Sequence, residues 1–137
     1  MHGELRRVTT GSLMDMMYGF DDMGNLSSRR DVLSDQEEKF EYDKLNRLKG
    51  IEYYDDTGHV SAADLSIGYD NCGNRTSKTD VSSTINYGEN EGPHALTSIE
   101  NPYASYNSPP QKIEYNCFNK VSLISDTLSG GNLLELD

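Results

Sequence analysis

The residues able to do chemistry are few and far apart. Two acid pairs, Asp21-Asp22 and Asp55-Asp56, could hold calcium or share a proton in acid–base work. Neither lies in the oxygen-ligand spacing of an EF-hand loop. His2, His59 and His94 are widely separated, and none sits in an HExxH or similar metal pattern. Cys72 and Cys117 lack the CxxC spacing of zinc and redox centres and read as unpaired turn residues. There is no Gly-rich phosphate loop, and Gly130-Gly131-Asn132 reads as a plain hairpin turn. The inventory yields no catalytic, metal or cofactor-binding residue, and the expectation is a non-enzyme without a cofactor.

The elements around these residues follow one phrase, written five times. It runs aromatic, Asp or Asn, two variable residues, Gly or Asn, one more residue, then usually an aliphatic, a rule that Arg75 breaks in the fourth copy. The copies are Phe20-Asp21-Asp22-Met23-Gly24-Asn25-Leu26, Tyr42-Asp43-Lys44-Leu45-Asn46-Arg47-Leu48, Tyr54-Asp55-Asp56-Thr57-Gly58-His59-Val60, Tyr69-Asp70-Asn71-Cys72-Gly73-Asn74-Arg75 and Tyr115-Asn116-Cys117-Phe118-Asn119-Lys120-Val121. The aromatic suits a half-buried pleated surface. The acid or amide after it bonds the backbone two residues on and starts a turn. Gly or Asn at the fifth position tolerates the positive φ that tight hairpins require. Each copy therefore reads as strand, turn, strand. The second acid of Asp21-Asp22 and of Asp55-Asp56 then falls on a variable turn position. His59 reads as an exposed turn residue, and His94 as one that packs or bonds locally.

The flanks alternate with period two, which gives one buried face and one wet face. Leu65, Ile67 and Tyr69 alternate with Ser66 and Gly68; Phe40 and Tyr42 with Lys39 and Glu41; Ile113 and Tyr115 with Lys112 and Glu114. The third copy departs, because Glu52 stands where its strand calls for an apolar residue. Tyr54 also lies only 12 residues after Tyr42, whereas Phe20 and Tyr42 are 22 apart. It reads as a turn on a return strand. Tyr69 and Tyr115 are 46 apart, about two such steps, and Tyr87-Gly88 marks a degenerate unit between them.

Together these copies resemble the YD-repeat proteins of the Rhs type. Tyr42-Asp43, Tyr54-Asp55 and Tyr69-Asp70 match the defining pair literally, and Phe20-Asp21 and Tyr115-Asn116 conservatively. Gly92-Pro93-His94-Ala95-Leu96-Thr97-Ser98-Ile99 is similar to a segment common in that family. The resemblance covers about residues 16 to 126. It implies a scaffold: part of a β-shell wall that, in related proteins, encloses or presents a toxin or other polypeptide. It also implies an extracellular or cell-surface setting, and as partners the remainder of a longer chain and an enclosed toxin segment. The chain is too short to close a shell, so a fragment of a longer protein is expected. The alternative is an extracellular glycan- or protein-binding β module with exposed tyrosines.

Composition fits a thin sheet. Hydrophobic residues make up 34% of the 137 residues, and the net charge is −11. That charge argues against nucleic acid, which rewards clustered Lys and Arg. No apolar run approaches the length of a spanning helix, so no membrane insertion is expected. The predicted fold is all-β, built of antiparallel hairpins. Residues 1–15 form an incoming strand, 16–126 the YD-repeat region, and 127–137 a strand of the next unit. Asp31 to Glu38 reads as a loop with a short helical turn capped by Ser34. Thr84 to Tyr87 reads as a strand, and 100–111, with Pro102, Pro109 and Pro110, as an irregular insertion.

Overall fold

The computed structural model describes residues 4–89, 92–102, 110–126 and 132–135. These residues form thirteen strands and one 3₁₀ turn, Ser61–Ala63. The strands are β1 Arg7–Thr10, β2 Met14–Phe20, β3 Leu26–Asp31, β4 Gln36–Tyr42, β5 Leu48–Asp55, β6 Gly58–His59 and β7 Leu65–Tyr69. They continue with β8 Arg75–Lys78, β9 Ser82–Tyr87, β10 Leu96–Pro102, β11 Gln111–Tyr115, β12 Val121–Asp126 and β13 Asn132–Glu135. Every pairing is antiparallel, as the hairpin chemistry predicts. No described helix is long and apolar enough to cross a membrane.

The chain clusters into two compact units, residues 1–66 and 67–137. In the first, β1 to β5 pair in chain order, and the far edge of β5 is shared by two short partners. Gly50 and Ile51 pair with Ser66 and Leu65 at the start of β7. Further along, Tyr54 and Asp55 pair with His59 and Gly58 of β6. Between these contacts the linker satisfies Tyr53, whose N–H donates to Asp64 Oδ1 (3.2 Å) and whose carbonyl accepts from Val60 N–H (2.8 Å). In the second unit, β7 to β13 pair in chain order.

Each unit is a single sheet, and its apolar residues are mostly half-buried. Among the described residues only Ile85 is a buried hydrophobic, at 8% exposure. Cohesion rests on the ladders and on cross-strand pairs rather than on a two-layer core. Arg29 and Glu38 stand directly opposite one another on β3 and β4 with 2.5 Å between guanidinium and carboxylate. Such exposed pairs set register more than they stabilise.

Two local expectations are corrected. The stretch from Asp31 to Glu38 holds no helical turn: β4 begins at Gln36, and only four residues separate it from β3. Asp31 Oδ1 accepts the Leu33 N–H (3.0 Å), so a side chain before Ser34 starts a tight turn first, and Asp35 takes φ 52°. The strand expected from Thr84 to Tyr87 is present and starts two residues earlier, at Ser82, whose fully buried hydroxyl lies between the carbonyls of Thr84 and Glu100 and so ties β9 to β10. Of the insertion expected at 100–111, residues through Pro102 belong to β10, and 103–109 lie outside the described residues, as do His2 and Gly130-Gly131.

Candidate functional site

Four of the five copies build one and the same turn. In the first, Asp21 Oδ1 accepts the N–H groups of Met23 (2.9 Å) and Asn25 (2.8 Å), and Oδ2 accepts the Asn25 amide (3.0 Å). The backbone closes around this carboxylate through Asp21 N–H to Asn25 O (2.9 Å) and Gly24 N–H to Asp21 O (3.0 Å). Asp43 does the same with Leu45 and Arg47, the Arg47 Nε donating to Oδ2 at 2.7 Å. Asp70 does so with Cys72 and Asn74. Asn116 accepts only the backbone N–H groups of Phe118 (3.0 Å) and Lys120 (3.2 Å). The fifth position is left-handed throughout: Gly24 at 85°, Asn46 at 58°, Gly73 at 90° and Asn119 at 57°. The pattern is a type I turn followed by a left-handed residue that bulges one strand. In each case residues one and seven pair beside a register shift: Phe20 with Leu26, Tyr42 with Leu48, Tyr69 with Arg75, Tyr115 with Val121.

Tyr87-Gly88 opens an enlarged version. Tyr87 pairs with Leu96 beside a register shift, and Gly88 N–H donates to Ala95 O (2.9 Å), closing a longer loop in the same way. The Gly92-Pro93-His94 segment in that loop docks on the Asp70 turn. Asn74, 8% exposed, donates through Nδ2 to Asp70 Oδ2 (2.8 Å) and Pro93 O (2.9 Å), and its Oδ1 lies 2.6 Å from His94 Nδ1.

The repeat aromatics are half-buried, and two of their hydroxyls join successive hairpins. Tyr42 donates to Leu26 O (3.0 Å), and Tyr115 donates to Leu96 O (2.9 Å). Leu26 and Leu96 hold the same place, the residue that restarts the strand after the preceding turn. Burial, and then the nearby Asp21 charge, raise the Tyr42 phenol above its usual range.

The Tyr54 copy is a different object, which corrects its alignment with the others. Asp55 pairs with Gly58, leaving a two-residue loop, and Gly58 has φ 119°. Asp55 Oδ1 accepts both the Thr57 hydroxyl (2.6 Å) and the Thr57 N–H (2.8 Å). The strands thus pair one residue earlier than in the other copies, Tyr54 with the sixth residue, His59, rather than the seventh. The hairpin sits at the end of β5 opposite the Asp43 turn. His59 reaches Asp64 (2.9 and 3.0 Å) and stacks on Tyr54 with centroids 5.0 Å apart, while Lys39 Nζ lies 4.0 Å from the same ring.

Two features escaped the sequence reading. The sixth position, taken as variable, supplies the donor to the carboxylate's second oxygen in three turns; Asn, Arg, Asn opposite Asp, Asp, Asp was its signal. The fourth position is apolar and outward: Met23 and Leu45 are each 72% exposed, Phe118 is 77% exposed, and Cys72 is exposed. Cys72 and Cys117 are both free thiols.

A cavity lies in the first unit, away from the Asp21 and Asp43 turns. It is a cleft of about 440 Å³ over one face of β3, β4 and β5. Its floor has two cross-strand rows. Arg29, Glu38 and Tyr53 stand opposite one another in one; Met16, Asp31 and Gln36 in the next. Asp55 ends the second row, one step beyond the Glu37–Tyr54 pair, and Val60 and Ala63 of the linker form a wall. Among the described residues no three His, Cys, Asp or Glu side chains are placed to share a metal ion. No protein-family model matches the chain, and no curated protein matches it significantly.

Proposed function

We propose that the chain is a structural YD-repeat scaffold, a wall element whose longer assembly encloses or presents another polypeptide. The observation that carries this reading is the tyrosine joint. Tyr42 and Tyr115 each spend their hydroxyl on the carbonyl that follows the preceding turn. An aromatic used this way is a fastener between hairpins. Both its ring and its polar end are committed inside the sheet, which suits Tyr at a half-buried position. The carboxylates of Asp21, Asp43 and Asp70 are likewise filled by local donors, so in this reading these repeated acids shape turns and catalyse nothing. The partners it calls for are further repeats of the same kind and the enclosed polypeptide, in an extracellular or cell-surface setting.

Truncating the rings tests the reading. Tyr42→Ala and Tyr115→Ala should each lower the urea midpoint markedly, and Tyr→Phe at the same positions should lower it by less. If both alanine variants kept parental stability, the rings would be free for a ligand. The second reading, a glycan- or protein-binding β module, would then stand in its place.

A further inference from the structure

We propose that the cleft beside Tyr53 is a binding site for a lysine or arginine side chain presented by another polypeptide. The proposal does not depend on the scaffold reading. A cavity of about 440 Å³ is in the range that holds a ligand group rather than a stray water. Four carboxylates, those of Asp31, Glu37, Glu38 and Asp55, border it against one guanidinium, Arg29, which Glu38 already neutralises at 2.5 Å.

Asp31 and Asp55 have capacity left. Each accepts its turn bonds through Oδ1 alone: Leu33 N–H for Asp31, the Thr57 N–H and hydroxyl for Asp55. Their Oδ2 atoms bond to nothing described. The two residues flank Gln36 across three adjacent strands, so a head group above Gln36 lies between two negative charges and an amide oxygen. A cation there gains charge-assisted bonds that a neutral guest does not.

The remaining walls select the stem. Met16, Val60 and Ala63 are apolar, and Tyr53 contributes a half-buried ring. Long basic side chains lie their methylenes along such surface and keep the charged head at its polar end. An aromatic face in reach adds attraction for the head. The acidic field of the whole chain, net charge −11, draws such a guest in.

The test uses three peptides, acetyl-Gly-Gly-X-Gly-Gly-amide with X as lysine, arginine or norleucine, titrated into the isotopically labelled full chain and followed by amide chemical shifts. Lysine and arginine peptides should give saturable shifts confined to residues 29–38 and 53–63, with dissociation constants on the order of a millimolar. The norleucine peptide should give none. Asp31→Asn with Asp55→Asn keeps the Oδ1 acceptors that form both turns, so the fold should persist while affinity drops about tenfold. Asp22→Asn with Glu89→Gln removes the same charge elsewhere and should leave affinity unchanged. Equal binding of norleucine, equal weakening in the charge-matched control, or shifts spread over the acidic surface would each overturn the proposal. The wild-type shift map decides it even where the double variant does not fold.

Discussion

The Asp70 turn and the Tyr54 hairpin share the written phrase Tyr-Asp-x-x-Gly and differ in structure. In the first, the carboxylate gathers the N–H groups of residues two and four places on, and a donor from the sixth position fills its second oxygen. In the second, Thr57 bonds one carboxylate oxygen through both its N–H and its hydroxyl, and the loop closes one residue early. The sixth residue, His59, is then released to bond Asp64. Aromatic, acid and glycine thus permit either turn. The fourth and sixth residues select which one forms.

The comparison can be broken most forcefully at Asn74. Replacing it with Ala strips three partners from a buried amide and should cost roughly 2–3 kcal/mol. Lys120→Ala, at the same place in the turn that lacks a carboxylate, should stay within about 0.5 kcal/mol. Chemical denaturation measures both, and equal losses would show that the sixth side chain is irrelevant. Gly58→Asn should come next, at about 1–2 kcal/mol, because φ 119° lies outside the region that Asn tolerates. Gly73→Asn should be close to neutral, since Asn46 and Asn119 already occupy that place at φ 58° and 57°. Thermal melts of the pair would separate the two kinds of turn directly. Tyr42→Phe should cost about 1 kcal/mol for one neutral hydrogen bond. Its readout is faster amide exchange in β3, where its partner Leu26 begins the strand.

Acid supplies the finest test. The Asn25 amide above all holds the Asp21 carboxyl below its usual range, and the Arg47 N–H does so for Asp43. Burial pushes Asp70 upward, but the Asn74 amide and the turn N–H groups together outweigh it. A carboxyl lowered on folding stabilises above its unfolded value, near 4, and that contribution fades as pH falls through the folded value. Stability should therefore decline below about pH 4. Asp43→Asn should flatten the decline, and Asn116→Asp should steepen it by giving the fifth copy a titrating group. Urea midpoints measured across the acid range would show either slope, and an unchanged slope in Asn116→Asp would deny that the cage depresses its own carboxyl.

Much of this fold was legible because its determinants are local. Turn chemistry at Asp21, Asp43, Asp70 and Asn116, with period-two flanks, specifies antiparallel hairpins without reference to distant contacts. Tyr87-Gly88 was legible as a degenerate unit by spacing, although its longer loop was not. The Asp31 turn was misread because Ser34 and Asp31 both offer a side-chain acceptor, and the earlier one captures the backbone first. The cleft was not legible at all. It gathers Asp31, Gln36, Tyr53 and Ala63 from separate segments, and only the pairing register and the path of the linker bring them to one face.

The three bonds of Asn74 also decide the proton on His94. Because Nδ2 donates to Asp70 and to Pro93 O, the atom facing the imidazole is an oxygen, which only accepts. His94 Nδ1 must then carry hydrogen in the neutral ring, which is the less common tautomer of free imidazole side chains. The docking of Gly92-Pro93-His94 on Asn74 thus fixes which imidazole nitrogen carries the hydrogen, and the ring's nitrogen-15 shifts would report it.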